Sequence, residues 1–217
     1  PAMERWIQRQ LGQEGERLHM LRQRLWAGVS WQRQDRVLLL GCHSLLWALD
    51  PLRQVPEGGV TLTCPSPDDR QRLAAQINLL EPERQPQLLD GLDALPSDQV
   101  FDWIGGRLGT ADLLETNWIE LAQTLTGHAD SNASLRLLIS CAERGPAGAL
   151  SASQAAKTSL AQLVEQEQQW LQQLQIQTQP LKELGWSLNT EQWDEVLTLP
   201  GGKSLAERWL ANDSDYR

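Results

Sequence analysis

The residues best equipped for chemistry stand in one short run, Gly41-Cys42-His43-Ser44. An imidazole next to a thiol and a hydroxyl can act as a base toward a nucleophile, provided a third group orients it. No acid lies near His43 in the sequence, and no Gly-x-Ser-x-Gly elbow surrounds Ser44, so the run reads as a polar loop and no catalytic residue is assigned. Metal chemistry needs paired Cys or His at short spacing; Cys42, Cys64, Cys141, His19 and His128 are too scattered, and no metal site is assigned. The three cysteines each fall at or near the end of an expected strand. They read as reduced thiols of a cytoplasmic protein, used as small buried residues. No Gly-x-x-x-x-Gly-Lys-Ser/Thr loop occurs, so ATPase chemistry is not carried by this chain.

The elements around that run decide what it is for. Val37-Leu38-Leu39-Leu40 enters Gly41, and Leu45-Leu46-Trp47 follows as an apolar helix-like stretch. This is the pattern of a buried parallel strand, a tight turn and a helix. Alternation continues downstream. Residues 44–55 read as helix, 56–59 as a turn and 60–64 as a second strand. Ser66-Pro67-Asp68-Asp69 is a helix start, with Ser as cap, Pro at the first position and an acid three residues after the cap. Residues 87–89 form an expected third strand. Residues 100–104 form a fourth, ending at Gly105-Gly106. A helix capped by Thr110 runs to Leu125, and 135–140 is a fifth strand. Such alternation implies right-handed crossovers and a mainly parallel sheet covered by helices on both sides. Beyond Gly145-Pro146 a long Gln-rich helix is expected, its 162–179 segment offering a solvated face or a partner surface. Two further strands follow at 185–188 and 195–199, as an antiparallel edge pair, and then a last helix capped at Ser204.

The chain of 217 residues is 41% hydrophobic and 22% charged, the composition of a folded α/β domain, and no apolar run approaches the length of about 20 residues that spans a bilayer. No membrane partner is expected. Two parts are expected, a helical leader over residues 1–35 packed on a main domain over 36–217. The abrupt Pro1-Ala2-Met3 start reads as a cut from a longer protein. In the leader Leu18, Leu21, Leu25 and Val29 form an apolar stripe, and Gly12 and Gly15 are places where the helix could divide. The net charge of −9 argues against a surface that coats duplex DNA. Residues 1–36 nevertheless carry +3, leaving −12 for the rest, so Arg17, Arg22 and Arg24 are candidates for contacts with nucleic acid or an acidic partner. Ten tryptophans stand against one Tyr and one Phe; most occupy core positions, with Trp103 and Trp118 the candidates for exposure beside the loop.

By the fifth strand the order resembles the class I S-adenosylmethionine-dependent methyltransferase fold, over about residues 30–200. Val37-Leu38-Leu39-Leu40-Gly41-Cys42-His43-Ser44-Leu45 resembles the family's first motif, V-L-D-L-G-C-G-S-G. Ser66-Pro67 after the second strand, Gly91-Leu92-Asp93-Ala94-Leu95-Pro96 before the fourth, and Phe101-Asp102 at its opening fit as well. The resemblance implies a three-layer Rossmann-like α/β domain with an antiparallel C-terminal edge pair. It also implies a cofactor site at Gly41, His43, Cys64, Asp90 and Asp93, if the cofactor is retained. The sequence departs from the motif where the cofactor would be held. Leu39 replaces the first acid, His43 and Leu45 replace glycines, and Thr63 or Cys64 stands where an acid would meet the ribose hydroxyls. Gly105-Gly106-Arg107-Leu108 replaces the Asn/Asp-Pro-Pro-Tyr/Phe of amino-group methylating enzymes.

A second resemblance covers the whole chain. Arg17-Leu18-His19, Leu45-Leu46-Trp47-Ala48-Leu49, Phe101 to Leu108, Val164 to Trp170 and Glu207-Arg208-Trp209-Leu210 are similar to the C-terminal region fused to a clamp-loader-like AAA+ ATPase, the replication-associated recombination protein A family, in marine cyanobacteria. It implies an AAA+ ATPase domain of the same parent chain as partner. The expectation is a degenerate methyltransferase-like accessory module in DNA replication, recombination or repair, with no cofactor. Two alternatives stay open: an active S-adenosylmethionine-dependent methyltransferase, and a nucleic-acid-binding module working through the basic leader.

Overall fold

The computed structural model describes residues 13–64, 66–108, 116–139, 165, 169, 176, 178–191 and 193. The expected strand at 195–199, the Thr110 cap and the Ser204 helix lie outside the described residues. The backbone resolves into two compact units, one holding residues up to Arg107 together with Gly127–Leu138, the other Leu108–Thr126 and the chain from Ile139 onward.

In the first unit, helix α1 (Gln13–Leu25) passes through Gly15 without a break. It is followed by β1 (Arg36–Leu40), a 3-10 turn at Leu45–Ala48, α2 (Leu49–Gln54), β2 (Gly59–Thr63), α3 (Pro67–Ile77) and β3 (Gln87–Leu89). Further 3-10 turns lie at Pro82–Arg84 and Leu92–Ala94, ahead of β4 (Phe101–Leu108). After α4 (Trp118–Gly127) the chain returns as β5 (Ala129–Ile139). The sheet has five strands in the order β3-β2-β1-β4-β5, with β1 parallel to β2 and β4, and β2 parallel to β3. This is the mostly parallel α/β sheet of a methyltransferase-like fold. Its order reverses between β1 and β4, the point where doubly wound sheets place their ligands.

The elements follow from local chemistry. Val37 to Leu40 are all buried, and successive side chains point to opposite faces, so β1 is covered on both. Ser66 caps α3, its Oγ accepting from the Asp69 amide at 3.2 Å, with Pro67 opening the helix and Leu73 and Ile77 on its buried face. Asp69 in turn accepts from the Ser66 hydroxyl and pairs with Arg72, which lets that carboxylate be buried.

Four expectations are corrected. β4 does not stop at Gly105-Gly106 but runs on to Leu108. A side chain at Gly105 would strike the Trp26 ring, 2.5 Å from an ideally placed Cβ, and one at Gly106 would strike Leu40, 2.8 Å away. These glycines serve close packing rather than a turn. β5 begins at Ala129, six residues before Leu135. The described part of the helix before it starts at Trp118, where the Asn117 Oδ1 accepts from the Glu120 amide at 3.3 Å. Residues 186–190 form no strand. A short helix α5 (Gln179–Glu183) precedes them, Gly185 takes a left-handed φ of 94°, and the Trp186 amide bonds back to the Leu181 carbonyl at 3.0 Å. Of the Gln-rich run, Glu165, Gln169 and Ile176 are helical and exposed. No helix among the described residues is long and apolar enough to cross a membrane.

Candidate functional site

The strand register brings Gly41, Cys64 and Asp90 to one end of the sheet, directly after β1, β2 and β3. Gly41 takes a left-handed φ of 64°, and a Cβ there would meet the Arg107 carbonyl at 3.0 Å, so the turn out of β1 requires glycine on both counts. The turn is then tied to the neighbouring strand. The Gly41 amide donates to the Thr63 hydroxyl at 3.3 Å, and the Cys42 amide donates to the Thr63 carbonyl at 2.8 Å. The Thr63 hydroxyl donates in turn to the Leu39 carbonyl at 3.5 Å. Thr63 is buried and closes the strand pair at a position where the resemblance implies an acid.

The next amides are also committed. Leu45 donates to Gln76 Oε1 of α3 at 2.8 Å, Leu46 to Ser44 Oγ at 3.3 Å, and Trp47 to the Ser44 carbonyl at 3.2 Å. Ser44 thus caps the 3-10 turn that carries Leu45 and Trp47 into the core, where they are 1% and 3% exposed. His43 is half-buried and sits edge-on to the Trp47 ring, centroids 6.4 Å apart. The Trp47 indole N–H is buried with no acceptor among the described residues, a cost of about 1–3 kcal/mol that the apolar packing of the ring must offset.

The thiols behave as core groups. Burial pushes the Cys42 thiol far above the ordinary range, and the nearby Cys64 adds to the shift. Cys64 is also raised, first by desolvation and then by the Asp90 carboxylate, with Arg70 opposing; its thiol points to the Leu89 carbonyl, 3.5 Å away. Neither is poised as a thiolate nucleophile. Asp90 is exposed and ion-paired to Arg70 of α3, so the carboxylate expected on the adenine side already has a cation. Asp93 is exposed in the Leu92–Ala94 turn and folds back on Gly91, where an added Cβ would stand 2.6 Å from its Oδ1.

The basic leader is also changed by the structure. Arg22, expected among the nucleic-acid or partner contacts, is buried: its Nε donates to Asp50 Oδ2 at 2.9 Å and its Nη1 to the Leu46 carbonyl at 3.0 Å. Arg24 is exposed, and the Arg17 side chain lies outside the described residues. Trp103, expected beside the loop, lies instead toward the amino end of β1, opposite Val37. Its indole donates to Asp35 at 2.8 Å, and the Arg136 guanidinium lies 5.7 Å from its ring centre. Trp118 is buried. Sequence reasoning did not find Gln76 or the Arg22–Asp50 pair, because contacts 31 and 28 residues apart leave no local signal.

No family model matches the chain, and no curated protein matches it. Solved structures do. A coclaurine N-methyltransferase bound to N-methylheliamine and SAH is 17% identical, with a TM-score of 0.46 over 58% of this chain and 37% of that one. An O-methyltransferase of a trans-AT polyketide synthase multienzyme of Brevibacillus brevis, in complex with S-adenosyl-L-homocysteine, is 17% identical, with a TM-score of 0.47 over 60% and 46%. A precorrin-6y C5,15-methyltransferase of Geobacter metallireducens is 16% identical, with a TM-score of 0.41 over 54% and 61%. The chain spans less than two thirds of each of these proteins. Its fold assignment stands on strand order and parallel register.

Proposed function

We propose that this chain is a methyltransferase-like domain that has given up S-adenosylmethionine and works as a partner-binding accessory module, joined to an AAA+ ATPase that maintains DNA. One observation carries the loss of the cofactor. The amides of Gly41 and Cys42, at the turn where a cofactor's amino-acid end would dock, both donate to Thr63 of the adjacent strand. A ligand would have to displace those bonds and would find no carboxylate at Leu39, Thr63 or Cys64 to receive its amine or ribose hydroxyls. Each unmade bond to a buried group costs about 1–3 kcal/mol, enough together to remove micromolar affinity. Calorimetric titration with S-adenosylmethionine and S-adenosylhomocysteine is expected to give no binding heat at micromolar protein and ligand; a micromolar dissociation constant would restore the methyltransferase reading.

The ATPase partnership rests on the sequence resemblance. Its test is the ATP turnover of the parent chain with and without residues 1–217, measured on forked DNA. An unchanged rate and an unchanged assembly state would remove the accessory role. The nucleic-acid reading draws less support. Arg22 is turned inward onto Asp50, Arg33 pairs with Glu57 at 2.6 Å, and the Arg36 guanidinium lies 4.0 Å from Asp102, so these three arginines are met by the chain's own acids.

A further inference from the structure

We infer that the helical leader is a strap that sets the conformation of the turn after β1, with Arg22 as its fastening. The inference holds whether or not that turn has kept a ligand. Arg22 is 6% exposed, and its guanidinium reaches three groups. Nε donates to Asp50 Oδ2 at 2.9 Å, Nη1 to the Leu46 carbonyl at 3.0 Å, and Nη2 to His19 Nδ1 at 3.4 Å. Asp50 lies in the first turn of α2, and Leu46 lies inside the 3-10 turn that buries Leu45 and Trp47. The Leu46 carbonyl also accepts the Leu49 amide that closes this turn, so Arg22 occupies the second lone pair of the oxygen that defines it.

A guanidinium can be buried only where its donors are met. Both far acceptors of Arg22 belong to the segment 46–50, so burying α1 and folding that segment are one event. Four residues along the chain from Arg22, Trp26 lays its six-membered ring on Gly105 of β4, where the missing side chain leaves room for it. The leader is therefore anchored on β4 by an apolar plug and coupled to the β1 turn by a cation. Whatever displaces the leader withdraws the cation from Leu46 and loosens the packing of Leu45 and Trp47, opening the end of β1 to solvent.

Hydrogen exchange of the full chain, read by mass spectrometry, tests this. Arg22→Met keeps the apolar stem and removes every donor. It is expected to speed exchange at Leu45, Leu46 and Trp47 at least tenfold, while Val60–Thr63 and Gln87–Leu89 keep wild-type rates. Asp50→Asn, which leaves the bond to Leu46, is expected to change the turn less than threefold. In the double variant Arg22→Met/Asp50→Leu the unpaired carboxylate is gone, so an ion pair with a merely structural role would leave the turn protected; the strap predicts that it stays fast. Unchanged turn exchange in Arg22→Met, equal acceleration of all strands, or recovery in the double variant overturns the proposal. Should Arg22→Met fail to fold, Arg22→Lys gives the same reading, because one ammonium cannot reach both acceptors: an accelerated turn supports the strap and a wild-type turn overturns it.

Discussion

At the carboxyl end of β1, the Gly41 and Cys42 amides are bonded to Thr63, and Leu45 and Trp47 are folded into the core. At the amino end of the same strand, Trp31, Trp103 and Arg136 stay half-exposed, and polar groups do the joining. Asp35 accepts from the Gln32 amide and the Trp103 indole, both at 2.8 Å, and Arg136 donates to the Leu25 and Ala27 carbonyls at 3.2 and 2.6 Å, closing the carboxyl end of α1. Doubly wound sheets keep polar, ligand-facing groups at the carboxyl ends of their strands. Here that end has the character of core, and the polar, wetter end is the one that closes the last turn of the leader helix. The difference teaches that the backbone amides at the carboxyl end of a parallel strand can be satisfied by the next strand without disturbing strand order.

The sharpest way to break this comparison is to place an acid at Leu39, where the first-motif resemblance implies one. Leu39→Asp is expected to destabilise the domain by about 4 kcal/mol or more in chemical denaturation, because the site is only 1% exposed and a carboxylate there would be taken out of water. A well-folded Leu39→Asp protein would mean that the end is still open to water. Truncating a tryptophan at each end gives a direct contrast. Trp47→Ala is expected to cost about 3–5 kcal/mol and Trp103→Ala about half as much, measured by urea midpoints; equal costs would erase the distinction between a dry and a wet end. The thiols supply a pH signature. The folded-state pKa of Cys42 is raised, so its contribution is fully present below the ordinary thiol value and is lost as pH rises above it. Stability should fall above about pH 9, with a slope approaching about 1.4 kcal/mol per pH unit for that thiol, and Cys42→Ala should flatten the curve. Thr63→Val is expected to cost about 1 kcal/mol and to raise exchange at the Gly41 amide. Smallest of all, Asp90→Asn should shift the denaturation midpoint by less than about 1 kcal/mol, since its pair with Arg70 lies in solvent.

Much of the fold was legible because apolar runs and caps are local. Val37–Leu40, Val60–Thr63 and the Ser66-Pro67 start needed only their own neighbours to be read. Gly105-Gly106 misled because a glycine pair looks the same in a turn as in a strand pressed against Trp26 and Leu40; the reason for Gly105 lies 79 residues away in the leader, and that for Gly106 in β1. Asp130-Ser131-Asn132 misled in the other direction, as polar residues that a strand accepts where its side chains meet water. The departures from the cofactor motif could be seen one residue at a time. That the loop's amides had been claimed by Thr63 could not, since it depends on where two strands lie side by side.

The fit of Trp26 on Gly105 also bears on how this sequence can drift. The two positions share one fixed volume, so their allowed sizes are tied together. While residue 26 is an indole, residue 105 is confined to glycine, because any Cβ would fall within 2.5 Å of the ring. A lineage that shortened residue 26 would be released to fill residue 105, and one that filled residue 105 first would lose the seat of its leader. Related sequences should therefore show a large residue at 26 paired with glycine at 105, or a small residue at 26 with a larger one at 105, and the order of exchange should run through position 26.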